Sequence, residues 1–449
     1  MKENILGVEK IPKLYVAFVV PAIISMVIVG IQTMIDGIFL GNFVNTNALA
    51  SVNIVQPYMQ LIIGSSMVVS IGSLSFMGRS LGEENYRRAK DIFKTAFISM
   101  AVISIVILFI GVLFNRQLSG VLGANEVLLE GSSIYMKMIA FFAPVMSLMF
   151  LFGFTDRVIG KPQMYLIAMI SSTIINIGLD YLLIKQLQLG IKGAAFATGV
   201  SFFVSLFVVA KPLLNRKSVI NIYDGKFDPL IMKTSIENGS SEGVSSFANA
   251  VTVFVFNTAF MTASGEAGVA AFTAISYIGQ FGILIMFGIS DGIGAIVSYN
   301  YGALKRERVK ETLKIATTMN FIIGAILFLI LFFYGKDLVS IFTVENEEVI
   351  NLAARGSKIY AFSFLLVGFN IIKSGYYTSI GKVLASIFIA SGRGIIFIII
   401  GSIILPRIFG LSGIWLTIPF AEGLTVILCI ILSRYERKEY FISKSINNR

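Results

Sequence analysis

The chain has 449 residues, of which 56% are hydrophobic and only 14% charged, a composition that cannot clothe a soluble surface. It describes a polytopic membrane protein. A net charge of +11 would point to nucleic acid in a soluble protein, but here its placement along the chain follows the membrane, and nucleic-acid binding is excluded as the explanation.

Apolar runs of about 20 residues or more recur along the whole length, each ended by Gly, Pro or charge, as spanning helices are. They predict twelve spans, near 15–40, 52–78, 91–115, 132–158, 163–185, 192–214, 235–262, 270–300, 310–334, 352–380, 384–406 and 412–434. The expected fold class is an all-α membrane protein of twelve transmembrane helices. Lys2, Lys10 and Lys13 precede the first span, yet its apolar stretch is too long for a signal-peptide core and no small-residue cleavage site appears before Asp36, so the span is read as retained. With the N-terminus cytoplasmic, the inner segments carry 27 of the 36 Lys and Arg and the outer loops 8, with Arg393 inside a span. That asymmetry places both termini on the cytoplasmic side.

The first span contains "GIQTMIDGIFLG", in which Asp36 interrupts an apolar run, with Gln32 and Thr33 one turn before it. The fifth contains Asn176 and Asp180, spaced to share one helical face. Thr198 in the sixth span and Thr33 complete a polar pocket. An ionisable group inside a span is a functional hypothesis by default. Two carboxylates in one poorly solvated pocket cannot both stay ionised cheaply, so the pair holds a proton, or else an Na⁺ that supplies the missing charge. Pro21, Gly30, Gly37 and Gly178 would let these helices bend or approach. The bland alternative for Asp180 is a cap at the outer helix end close to Lys185.

Beyond the second span, "GRSLGEENYRRAKDIFKTA" from Gly78 returns as "SYNYGALKRERVKETLKIA" from Ser298. Gly82 then matches Gly302, Arg88 matches Arg308, and Gln60, Gly72, Gly190 and Gly193 match Gln280, Gly292, Gly410 and Gly413, all 220 residues apart; "IGK" at 159–161 returns one residue later at 380–382. The chain therefore reads as two parallel six-helix repeats. The expected division is an N-terminal lobe at 1–210, a cytoplasmic linker at 211–233, a C-terminal lobe at 234–435 and a tail at 436–449. A cleft between two such halves, exposed alternately to each side by rocking, is the architecture of a carrier.

The positions equivalent to Asp36 fall at Phe256 and Asn257, and those equivalent to Asn176 and Asp180 fall within 396–401, where no acid occurs. The acids are thus not needed merely to hold six helices together. The second half instead places Glu242, Asp291, Lys373, Arg393 and Glu422 in its spans. Opposite charges among these either pair with one another or leave Glu242, Asp291 and Glu422 as cavity carboxylates for a cationic substrate. Phe, Tyr and Met, 38, 16 and 17 in number, supply the adaptable surface that lipophilic cations favour. Cys429 has no partner for an intrachain disulfide, and with no histidine neither a histidine zinc site nor a histidine proton relay is available.

With duplicated halves, an acid in the first span and Asn-x-x-x-Asp in the fifth, the chain resembles the multidrug and toxic compound extrusion (MATE) family of bacterial type. The stretches that carry the likeness are "MIDGIFLG" at 34–41, "GRSLGEEN" at 78–85, "RVIGKPQ" at 157–163, "NIGLDYLLI" at 176–184, "GIKGAAFAT" at 190–198, "SYNYGA" at 298–303 and "GLSGIWLTIPFAE" at 410–422. The resemblance implies an antiporter of the bacterial cytoplasmic membrane that expels organic cations, often drugs, as H⁺ or Na⁺ enters, and that contributes to antibiotic resistance. It implies an ion site at Asp36, Asn176, Asp180 and Thr198; the polar residues Gln32, Thr33, Glu242, Asp291 and Glu422 are, from their place in the spans, the candidates for the substrate cavity. The sequence departs from the branch with further ion-binding acids in helices 7 and 10, since the tenth span offers Lys373. No cofactor beyond the coupling ion and a monomeric state are expected. A flippase for lipid-linked saccharides would share the architecture but calls for a cationic cavity. A membrane enzyme is excluded by the lack of "HExxH", "GxSxG" and a Cys–His pair.

Overall fold

The computed structural model describes residues 4–342 and 347–447; Lys2 and Arg449 of the basic termini lie outside them. Helices make up the regular structure of the described residues. Short helices at Ile5–Val8 and Asn115–Val121 aside, the first long ones are α1 (Ile11–Phe43), α2 (Thr46–Gly82), α3 (Tyr86–Leu113), α4 (Glu126–Val158), α5 (Gln163–Asp180) and α6 (Gly190–Leu213). A continuous stretch Pro229–Gly302 follows, broken at Gly265 by φ 61° and ψ −151°, which divides it into α7 (229–264) and α8 (266–302). Then come α9 (Arg306–Phe342), α10 (Glu347–Ala361 and Phe364–Ile380), α11 (Val383–Phe409) and α12 (Leu411–Asn447). Among the described residues ten helices are long and apolar enough to span a membrane, and eleven with the bent pair as one; dividing 229–302 at Gly265 gives twelve segments.

Local chemistry starts several of these helices. Asn45, Asn85 and Asn125 accept from the backbone N–H three residues on, at 2.7, 3.0 and 3.0 Å, and Asp228 caps α7 ahead of Pro229. Along α3, Val102, Ile105, Val106, Phe109 and Leu113 are exposed at helical spacing, an apolar stripe suited to lipid. The tenth span departs from the single helix expected. Its two pieces meet at 50°, where Ser363 turns both its N–H and its hydroxyl onto the Tyr360 carbonyl. Such i−3 bonds tighten a turn and redirect a helix without help from Pro or Gly.

The repeat is written into the backbone. Glu84 and Leu304 both adopt left-handed φ, 59° and 58°; Gly190 and Gly410 match at 56° and 57°, and Gly160 and Gly381 at 81° and 77°. Two compact units emerge from the contacts. The first comprises Met1–Gly243, Asp291–Thr312 and Ser379–Gly381, and the second Val244–Ser290, Leu313–Thr378 and Lys382–Arg449.

In the first unit α4 is central, packed on α2, α3 and α6, while α5 lies against α1 and α6. The end of α8 crosses α2 reciprocally: a Cβ on Gly82 would strike the Tyr299 carbonyl and one on Gly302 the Arg79 carbonyl. These are equivalent positions of the two repeats, so the crossing within the first unit is reciprocal. In the second unit Phe256, Phe260, Phe272 and Trp415 stack with centroids 4.5–6.2 Å apart, and α11 packs on α12.

Candidate ion site

Asn176 and Asp180 lie one turn apart on the buried face of α5. Directly after Asp180 the helix widens into a π-helical segment, Tyr181–Gln186, a distortion often found where a helix serves a site. From α1, Asp36 presents its carboxyl to both Asp180 and Asn176. Among the described residues, Asp36 Oδ1, both Asp180 oxygens and both polar atoms of the Asn176 amide are shielded from solvent without a hydrogen-bond partner. Two carboxylates offer each other only acceptors. Their meeting becomes favourable when a proton bridges them or a cation sits among the oxygens.

Gln32, buried one turn before Asp36, accepts from the Thr173 hydroxyl at 3.1 Å, which ties α1 to α5 just below the carboxylates. Tyr135 of α4, also buried, lies within electrostatic range of both acids. Neither Thr173 nor Tyr135 is singled out by the sequence, because threonines and tyrosines are common in spans and carry no spacing signal. Thr198 is buried on α6 beside α5, where its backbone carbonyl accepts from Ser201. Thr33 is exposed and bonds back to the Val29 carbonyl at 3.1 Å, whereas Gln32 beside it is buried. Lys185 stacks over the rings of Phe43 and Tyr181, at 5.1 and 4.9 Å, whereas Asp180 faces Asp36.

The remaining candidates separate. Glu242 is half-buried on α7. Asp291 on α8 meets Arg157 of α4, whose Nη1 donates to the Asp291 carbonyl at 3.5 Å while its guanidinium lies over Phe154 and Tyr165. Beside it Asp156 is completely buried, with both oxygens unpartnered among the described residues. Sequence reasoning passes over Asp156 because it stands next to Arg157 at the end of an apolar run, where a solvated loop is expected. In the second unit Glu422 is neutralised: Arg393 reaches its Oε1 from Nη2 at 3.0 Å and from Nε at 3.1 Å, and Asn370 donates to its Oε2 at 2.7 Å. Arg393 lies in the π-helical segment Gly392–Ile396. Lys373 donates to the Ser433 hydroxyl at 3.1 Å.

A family model, MatE, matches residues 21–182 and again residues 244–403. The chain belongs to the MatE family. Two matches of one model, one per half, are the duplication seen independently. MatE proteins are transporters, and this chain is a multi-pass membrane transport protein rather than an enzyme. It is 25% identical over 442 residues to the multidrug export protein MepA of Staphylococcus aureus (strain MSSA476), covering 96% of this chain and 95% of that one. It is likewise 25% identical over 430 residues to MepA of Staphylococcus haemolyticus (strain JCSC1435), covering 95% and 94%. A crystal structure of MATE in the bent conformation shares the fold with a TM-score of 0.91 at 21% identity, covering 99% of each chain.

Proposed function

We propose that this MatE protein is a multidrug efflux antiporter that exports lipophilic organic cations in exchange for H⁺ or Na⁺ by alternating access. The observation that carries this reading is the meeting of Asp36, Asn176 and Asp180 with five buried polar atoms unpartnered among the described residues, and the MepA likeness supports the substrate class. In this reading the ion neutralises the carboxylate pair, Thr198 lends a further oxygen, and loss of the ion restores a repulsion that α1 relieves by bending. Ion and cargo thereby exclude one another. The two lobes, 1–210 and 234–435, rock about the cleft, in a monomer of the bacterial cytoplasmic membrane with both termini cytoplasmic.

One inward positive charge is worth about 2.3 kcal/mol per 100 mV. Exchange of one cation for one cation cancels that term, so export of a cation is driven by more than one coupling ion or by a chemical ion gradient. The flippase reading expects cationic groups free to meet pyrophosphate, whereas Arg393 spends its charge on Glu422. The test is ethidium uptake into inverted vesicles energised by either a pH or an Na⁺ gradient alone. The effective gradient names the ion, and uptake that ignores both gradients would end the antiport reading.

A further inference from the structure

The repeated basic motif is left unexplained by an ion site, and its second copy has a specific target. Arg308, at the start of α9, donates from Nη2 to the carbonyls of Leu6 and Glu9 at 3.1 and 2.7 Å, and its Nε is oriented by Asn300 Oδ1 at 2.7 Å. Asn300 itself donates to the Leu6 carbonyl at 2.9 Å, and Lys305 Nζ to that of Gly7 at 2.9 Å. The gripped residues form the one-turn helix Ile5–Val8, just ahead of α1. Leu6 is fully buried there, and Asn4 bonds the Val158 carbonyl at 3.3 Å. The first copy of the motif does the same for the segment ahead of α7: Lys94 Nζ donates to the Ile222 carbonyl at 2.6 Å, Lys90 pairs with Asp224 at 2.7 Å, and Asp91 accepts from the Lys226 N–H at 2.8 Å. Each motif thus holds the chain that enters the other repeat.

We propose that Arg308, with Asn300 and Lys305, is a positioning residue for ion coupling: it clamps the foot of α1, so that α1 answers its ion by flexing above Pro21 instead of shifting as a whole. This rests on the ion-coupling role of Asp36. Pro21 removes the helical bond to the Ala17 carbonyl within α1, and one turn on the Ser25 hydroxyl donates back to the Pro21 carbonyl at 2.7 Å. Asp36 stands about 22 Å beyond that point at 1.5 Å per residue. A flexing lever transmits force only if its base is fixed. With the base loose, repulsion between the carboxylates is relieved by slippage of the entire helix, and the ion crosses without cargo. Arginine suits the task because its planar fork reaches two carbonyls and Asn300 at once, which a point charge on lysine does only in part.

The experiment reconstitutes the full chain in proteoliposomes and compares wild type, Arg308→Ala and Arg308→Lys. Ion entry is read with lumenal pyranine for H⁺ and ²²Na⁺ for Na⁺, with and without ethidium. Arg308→Ala is expected to raise ethidium-independent ion entry by about tenfold, the weight of one charged hydrogen bond, and to leave half-saturating ethidium unchanged, with Arg308→Lys intermediate. A merely structural role would lower every flux together. Ion entry at the wild-type level in Arg308→Ala, or a parallel fall in all fluxes, overturns the proposal. Should Arg308→Ala not fold, Lys305→Met removes a single bond of the clamp and carries the same expectation with a smaller rise. Ethidium transport that is independent of any ion gradient in wild type would refute the antiport reading, whereas a tightly coupled Arg308→Ala would refute only the clamp.

Discussion

Asp36 of α1 faces Asp180 of α5 as acceptor to acceptor, with the Asn176 amide beside them and no hydrogen-bond donor described for either Asp180 oxygen. Such a pair is stable only when something positive sits between its members. In the proposed antiport, Asp36→Asn and Asp180→Asn each remove one of the two charges that the coupling ion would balance. Ion-driven ethidium uptake in inverted vesicles is expected to fall by about 5- to 150-fold, the span of ordinary coupling free energies of about 1–3 kcal/mol. Equal uptake in the double amide variant would remove the pair from the mechanism.

Arg393 and Glu422 form a buried ion pair whose side chains are 18% and 6% exposed. Glu422→Gln leaves the guanidinium without its counter-charge and is expected to destabilise the protein by about 3–5 kcal/mol. Arg393→Met with Glu422→Leu removes both charges and is expected to recover most of that loss. Thermal unfolding of the purified variants in detergent measures both, and a double variant no more stable than the single one would mean that the pair is not the source of the loss.

The linker is pinned by a pair that titrates. Lys90 and Asn221 both donate to Asp224 Oδ2, at 2.7 and 3.0 Å, and hold its carboxyl below its ordinary value of 3.8. Because the folded value is the lower one, the stabilisation is complete above the ordinary value and is lost as the pH falls through the folded one. Proteolysis of the 211–228 segment by pepsin is therefore expected to rise below the ordinary carboxylate range. Lys90→Met should flatten that pH dependence while raising cleavage by trypsin at neutral pH.

Glycines at helix crossings differ from those facing open space. A Cβ on Gly302 would strike the Arg79 backbone, while one on Gly120 meets nothing within 4 Å. Gly302→Ala is expected to cost about 1–3 kcal/mol through overpacking, and Gly120→Ala to be nearly neutral. Melting temperatures of the two variants, side by side, decide the point.

Much of the fold is legible in the amino-acid order because lipid demands long apolar helices and the duplication preserves Gly and basic residues at fixed offsets. The break in α10 is not legible, since Ser363 redirects the chain through bonds to Tyr360 that no Pro or Gly announces. At the candidate ion site, Asn176 and Asp180 are readable from their one-turn spacing, and Asp36 from its isolation in an apolar run. Gln32 is readable as a polar neighbour, but its partner Thr173 is fixed by how α1 lies on α5, which spacing within either helix does not encode. Tyr135 and Asp156 are missed for different reasons. The first blends into an ordinary span, and the second is buried at a depth where a chain end beside Arg157 is expected to be wet.

The first compact unit draws on residues 291–312 and 379–381 as well as 1–243. During synthesis, six helices can therefore enter the membrane and still be an unfinished body, with the Gly82 face of α2 waiting for Gly302 and the Leu6 and Glu9 carbonyls waiting for Arg308. A ribosome stalled between the repeats would leave that body open, so the order of insertion and the order of folding part company in this chain.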